Sequence, residues 1–148
     1  MSESLKARAL RLLSQREHSR AELTRKLAPH GTEEEITALL DRLAEVDLQS
    51  DARFAESWVR SRQARYGSRR MAMDLRQRGV DDALIAAALA EGSDGDDTAR
   101  AREVWAKKFG TPPADARDWA RQARFLQGRG FGADVIHRIL KDRDDESA

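Results

Sequence analysis

The stretch SRRMAMDLRQRG, residues 68–79, carries Met71, Leu75 and Gly79 at steps of four. Steps of four keep side chains on one face of a helix, and a glycine ending such a run accepts the left-handed conformation that closes it. The same pattern of anchor, leucine and glycine stands earlier as Leu23, Leu27 and Gly31, and later as Gln122, Leu126 and Gly130. The glycines lie 48 and 51 residues apart, and an aliphatic residue follows each at the same offset: Ile36, Leu84 and Val135. Repeats of this length mark stacked supersecondary units. Function is therefore expected on a surface shared by three modules, not in one pocket.

Each run sits in the middle of a helical triplet. In the first module, Leu5, Ala9, Leu12 and Leu13 form the apolar stripe of a helix over about 4–15. Ser19 and Glu22 then make a capping box for a second helix, in which each side chain answers the other's backbone N–H. Gly31 is expected to end it in the left-handed conformation. Thr32 and Glu35 repeat the box for a helix striped by Ile36, Leu39, Leu40 and Leu43. In the second module Asp51 reads as the N-cap of a helix holding Phe54, Ala55, Trp58 and Val59; Gly67 breaks it, Ser68 restarts it, and Asp81 caps an Ala-rich helix with Leu84, Ile85 and Leu89. The third module follows with Val104, Trp105 and Phe109, a break at 110–113, then Trp119, Ala123 and Leu126, and finally Val135, Ile136, Ile139 and Leu140. Here Gln122 takes the place of the apolar anchor. The fold expected is all-α: three tandem three-helix repeats over 1–48, 49–91 and 98–142, in an elongated array open to curvature. A Gly- and acid-rich linker at 92–97 and an acidic tail at 143–148 complete the division. Units of this size bury too little surface to be stable alone, so the modules are expected to lean on one another.

Composition narrows the functional classes. Hydrophobic residues make up 40% and charged residues 36%, and β-branched residues and proline are scarce, which favours helix throughout. Without cysteine there is neither a disulfide framework nor a thiolate metal site. His18 and His30 in the first module and His137 in the third lack ligand spacing, and no phosphate loop, Gly-x-Ser-x-Gly or kinase signature appears. Neither catalysis nor a cofactor is expected. No apolar run is long enough to span a bilayer and the N-terminus has no hydrophobic signal core, so a soluble, cytoplasmic chain is expected.

The net charge of +1 hides alternating blocks: +4 over 1–31, −6 over 32–51, +6 over 53–79, −6 over 81–97, +6 over 99–141 and −3 over 142–148. Such segregation matters more for choice of partner than the sum. Arg60, Arg62, Arg65, Arg69, Arg70, Arg76 and Arg78 crowd the first two helices of the second module. Arg60 is spaced to pair with Glu56, and both Arg70 and Arg78 with Asp74. Arg62, Arg65, Arg69 and Arg76 have no carboxylate one turn away and are expected to project the least compensated charge. Arg117, Arg121 and Arg124 share one face in the third module, followed by Arg129 in the glycine turn, Arg138 one turn from Asp134, and Lys141 one turn from His137. All thirteen cations are candidate contacts to a partner or to nucleic acid. A solvated face or a structural match between modules accounts for the same charge pattern. Trp58, Trp105 and Trp119 lie on the apolar stripes and are expected to pack in the cores.

Taken together, Ser19-Arg-Ala-Glu-Leu23, Asp51-Ala-Arg-Phe-Ala55, the run from Gly67 to Gly79, and Phe125-Leu-Gln-Gly-Arg-Gly-Phe131 resemble the RecX family of bacterial regulatory proteins over essentially the whole chain. The resemblance implies tandem three-helix repeats that bind the RecA recombinase filament on single-stranded DNA. It implies occupancy of the filament groove and suppression of ATPase and strand exchange, and it supplies no catalytic residues. A monomer with no membrane association is expected, one that modulates and most plainly inhibits the filament. The rival reading is an autonomous helix-turn-helix-like protein that binds single- or double-stranded DNA directly.

Overall fold

The computed structural model describes the backbone of residues 3–92 and 97–146, and side chains as far as Leu140. Residues 93–96 of the expected linker and 147–148 of the expected tail lie outside the described residues, as does the side chain of Lys141. The described residues form nine α-helices in chain order: α1 (Leu5–Gln15), α2 (Arg20–Leu27), α3 (Glu33–Glu45), α4 (Asp51–Arg62), α5 (Ser68–Gln77), α6 (Asp82–Gly92), α7 (Asp97–Lys108), α8 (Ala116–Gly128) and α9 (Ala133–Glu146).

Each triplet has its own core. Ala9, Leu23, Leu27, Ile36, Leu40 and Leu43 close the first. Phe54, Val59, Met71, Leu75, Val80 and Ile85 fill the second, and Val104, Leu126, Phe131, Ile136, Ile139 and Leu140 the third. Ser19 with Glu22 and Thr32 with Glu35 form both reciprocal halves of their capping boxes. Gly79 and Gly130 adopt φ of 82° and 95°, the left-handed region.

Local chemistry corrects several expectations. Gly31 is extended, with φ −164°, because Pro29 turns the end of α2 into a short 3-10 segment at Ala28–His30. Its missing side chain serves packing instead: a Cβ there would meet Leu5 Cδ2 at 3.1 Å. Ser50, not Asp51, caps α4. The Asp51 carboxylate instead accepts from the Arg20 N–H of the preceding module at 2.8 Å. Gln122, in place of the third apolar anchor, is only 2% exposed. Its Oε1 accepts from Trp105 Nε1 at 2.7 Å and its Nε2 donates to the Thr111 carbonyl at 3.1 Å, so the polar residue comes with its partners. The chain thereby stitches the longer first turn of the third module to α8.

Candidate partner-binding clefts

The two joints between modules are built alike. Ser19 Oγ donates to the Arg78 carbonyl at 2.7 Å, and at the matching position the Gly67 N–H donates to the Arg129 carbonyl at 2.8 Å. The Arg20 N–H is accepted by Asp51 in α4; the Ser68 N–H and Oγ are accepted by Asp97 in α7, at 3.4 and 2.9 Å. Each left-handed glycine sits against the first turn of the second helix of the previous module. A Cβ on Gly79 would fall 2.4 Å from Ala21 Cβ, and one on Gly130 only 2.2 Å from Arg70 Cβ. Close backbone approach is thus the reason for glycine at both positions.

Each joint opens a cleft on its surface. The first, about 400 Å³, is lined by Arg16, Glu17, Glu22, Trp58, Arg62 and Arg78 among others. The second, about 260 Å³, is lined by Arg65, Val104, Lys107, Lys108, Phe125 and Arg129 with Ala64. In the repeat register set by the glycine runs, Arg78 corresponds to Arg129, Glu17 to Arg65 and Glu22 to Arg70, while matching the first helices through Asp51 and Asp97 sets Arg62 against Lys108 and Trp58 against Val104. Two acidic positions of the first cleft therefore carry arginine in the next module, Arg65 in the second cleft and Arg70 outside its lining.

The first cleft carries carboxylates of its own, although Arg62 and Arg78 form no ion pair among the described residues. Arg16 donates to Glu22 at 3.0 Å, and Glu22 also accepts from the Ser19 N–H at 3.0 Å. Burial pushes the Glu22 carboxyl up, but Arg16 and the Ser19 N–H outweigh it and leave the group below its ordinary value of 4.5. Glu17 is held by Arg53 at 2.6 Å. The Arg62 and Arg78 guanidiniums lie 3.4 and 4.0 Å from the Trp58 ring centre, so this tryptophan joins core packing to a cation platform. Burial, with the neighbouring Arg78 and Arg65 cations, holds Arg62 below its ordinary range.

The second cleft has no acidic residue in its lining. Among the described residues Arg65, Lys107, Lys108 and Arg129 form no ion pair. Aromatic rings hold the cations instead: Arg65, Arg70 and Arg129 lie 5.8, 4.9 and 5.4 Å from the Tyr66 ring, and Arg129 and Lys108 lie 5.1 and 5.5 Å from that of Phe125. Arg70 is partly compensated by Asp74 at 3.5 Å.

The other predicted contacts scatter. Arg76 does not project free charge; it pairs with Asp82 at 2.8 Å, two turns on, where helical spacing alone does not look. Arg78 donates to the Asp74 carbonyl rather than to its carboxylate. Arg60 is exposed and forms no ion pair with Glu56, nor Arg138 with Asp134, among the described residues. Arg69 lines a separate cavity with Trp119 and His137. Arg117, Arg121 and Arg124 are exposed on α8, with Arg121 tied to Asp118 at 2.8 Å. Lys107 and Lys108 were outside the predicted set, although the register of first helices places Lys108 where Arg62 stands.

Comparison with family models matches the chain three times: residues 6–43, 50–89 and 95–140 fit the first, second and third three-helix domains of RecX. The chain belongs to the RecX family. It is 54% identical over 144 residues to the regulatory protein RecX of Chromobacterium violaceum, covering 97% of this chain and 93% of that one. It is 48% identical to the regulatory protein RecX of Leptothrix cholodnii, covering 97% and 91%. The crystal structure of RecX from Lactobacillus salivarius superposes with a TM-score of 0.79 at 24% identity, over 95% of this chain and 94% of that one, and shows the same fold. The chain is thus a RecX-type regulatory protein of three helical domains, and no described helix is long and apolar enough to cross a membrane.

Proposed function

We propose that this RecX-family chain binds the RecA recombinase filament on single-stranded DNA and inhibits its ATPase and strand-exchange activities. The observation that carries the reading is the end-to-end match to three RecX domains, in relatives named as regulatory proteins. The working units are the repeats at 1–48, 49–91 and 98–142, acting as a cytoplasmic monomer without catalysis. Three modules joined in tandem reach more than one subunit of a polymer, and weak contacts then add through effective concentration. The basic residues of the second and third modules supply the contact and steer encounter with a polyanionic filament. Occupying the groove opposes subunit rearrangement and entry of a second duplex.

The test is ATP hydrolysis by the cognate recombinase on single-stranded DNA, with this chain titrated in. Inhibition well below one chain per recombinase subunit is expected. No effect at several-fold excess, together with tight, steeply salt-dependent binding to bare DNA, would replace the proposal by the autonomous DNA-binding reading.

A further inference from the structure

The two clefts are copies of one design with opposite provision of charge. In the first, the chain supplies its own carboxylates, Glu17 and Glu22, between modules. In the second, Arg65 stands at the position of Glu17, no acidic residue lines the cleft, and Arg65, Lys107, Lys108 and Arg129 have no carboxylate partner among the described residues. Clustered like charges repel, so the arrangement costs stability unless an anion enters. We propose that the cleft between the second and third modules receives carboxylate side chains from an acidic segment of a partner protein.

Three observations favour a polypeptide over a nucleic acid. The matching cleft shows which anion this architecture accommodates: a side-chain carboxylate bridging a guanidinium and a helix N-terminal N–H, as Glu22 bridges Arg16 and Ser19 at 3.0 Å each. The aromatic rings that single-stranded nucleic acids use for base stacking are already engaged, since cations lie over Tyr66 and Phe125. And the cleft, at about 260 Å³, is a recess for a few side chains rather than a channel tracking a backbone. Arg65 and Arg129 offer planar forks suited to carboxylates. The inference extends the proposal above from the partner to the chemistry of the contact. Its test contains no recombinase, so either can fail alone.

The experiment measures fluorescence anisotropy of a short labelled Asp/Glu peptide with the full chain at low salt, beside labelled oligothymidylate of matched charge. The double variant Arg65→Glu, Arg129→Glu is expected to weaken peptide binding about tenfold or more. The control Arg25→Glu, Arg42→Glu, with the same change of charge on the first module, is expected to stay within about twofold. Should the double reversal fail to fold by circular dichroism, Arg65→Gln with Lys108→Gln takes its place and is expected to weaken binding in the same direction. The inference is overturned if the peptide does not bind the unaltered chain, or if cleft and control variants lose affinity equally. It is also overturned if oligothymidylate binds more tightly through the same residues, which would make the cleft a nucleic-acid site.

Discussion

The joint between the first two modules and the joint between the last two share their hydrogen bonds, their glycine contact and a pair of cations held on aromatic rings, Arg62 and Arg78 in one and Lys108 and Arg129 in the other. They differ in the carboxylates that stand beside those cations. At the first, Glu17 and Glu22 face Arg53 and Arg16 at 2.6 and 3.0 Å. At the second, Tyr66 and Phe125 hold Arg65, Arg129 and Lys108 in position while leaving their charge unneutralised. A duplicated scaffold kept its backbone geometry and changed its electrostatics: one copy holds the body together, and the other remains open to an outside anion. Backbone approach tolerates little substitution, whereas a surface charge changes at little structural cost.

The comparison makes its largest claim at the glycines. Gly79→Val and Gly130→Val each combine a left-handed backbone with a Cβ inside 2.5 Å of the neighbouring module, and each is expected to cost about 3 kcal/mol or more in urea unfolding. Gly31→Ala, at extended φ against the flexible tip of Leu5, is expected to change stability by less than about 0.5 kcal/mol. A small effect at Gly130 with a large one at Gly79 would mean that the joints are not equivalent.

A smaller difference appears on acidification. His18 is 1% exposed at the first joint, its Nδ1 3.0 Å from the Arg16 carbonyl and its Nε2 3.3 Å from Lys26 Nζ. Burial, more than the Arg16 carbonyl opposes it and with the Arg16 and Lys26 cations adding, holds the imidazole below its ordinary value of 6.5. A depressed folded value means that the unfolded chain takes the proton first. The neutral ring's contribution is therefore complete above the unfolded value and is lost as pH falls from there through the folded one. Tm is expected to fall more steeply between about pH 7 and about pH 5.5 in the unaltered chain than in His18→Gln. Identical slopes would remove His18 as the cause.

The smallest effect has the opposite sign. Arg65→Glu restores to the second cleft the charge that Glu17 brings to the first, and is expected to stabilise the chain by ~0.3 kcal/mol while weakening acidic-peptide binding. A destabilised variant would show that the cluster is not under repulsion.

Much of the fold was legible because local chemistry and tertiary packing agree. The capping boxes at Ser19 and Thr32, the apolar stripes and the left-handed turns at Gly79 and Gly130 are set within one helix or one turn, where spacing is a sufficient guide. The contact of both glycines with the neighbouring module is not. The misreadings arose where a residue's partner lies in another element. Asp51 looks like a cap and serves the neighbouring module; Arg76 looks free and reaches Asp82 beyond the end of its helix; Gln122 looks like a lapse in the apolar pattern and meets Trp105 and Thr111. The second cleft was half visible. Arg65 and Arg129 stood out by composition, whereas Lys107 and Lys108 required the register of first helices, which the anchor, leucine and glycine pattern does not cover.

The carboxylates of Asp51 and Asp97 have a consequence for how the chain comes apart. Each belongs to one module by sequence, yet each terminates a helix of the module before it. Melting a module thus uncaps its predecessor, and since Ser19 and Gly67 satisfy the Arg78 and Arg129 carbonyls at helix ends of the following module, nearest-neighbour coupling runs both ways. The third module caps the second through Asp97, as the second caps the first through Asp51. The joints thus work as a zipper whose helix ends are shared, so that pinning one module is expected to order its neighbours on either side.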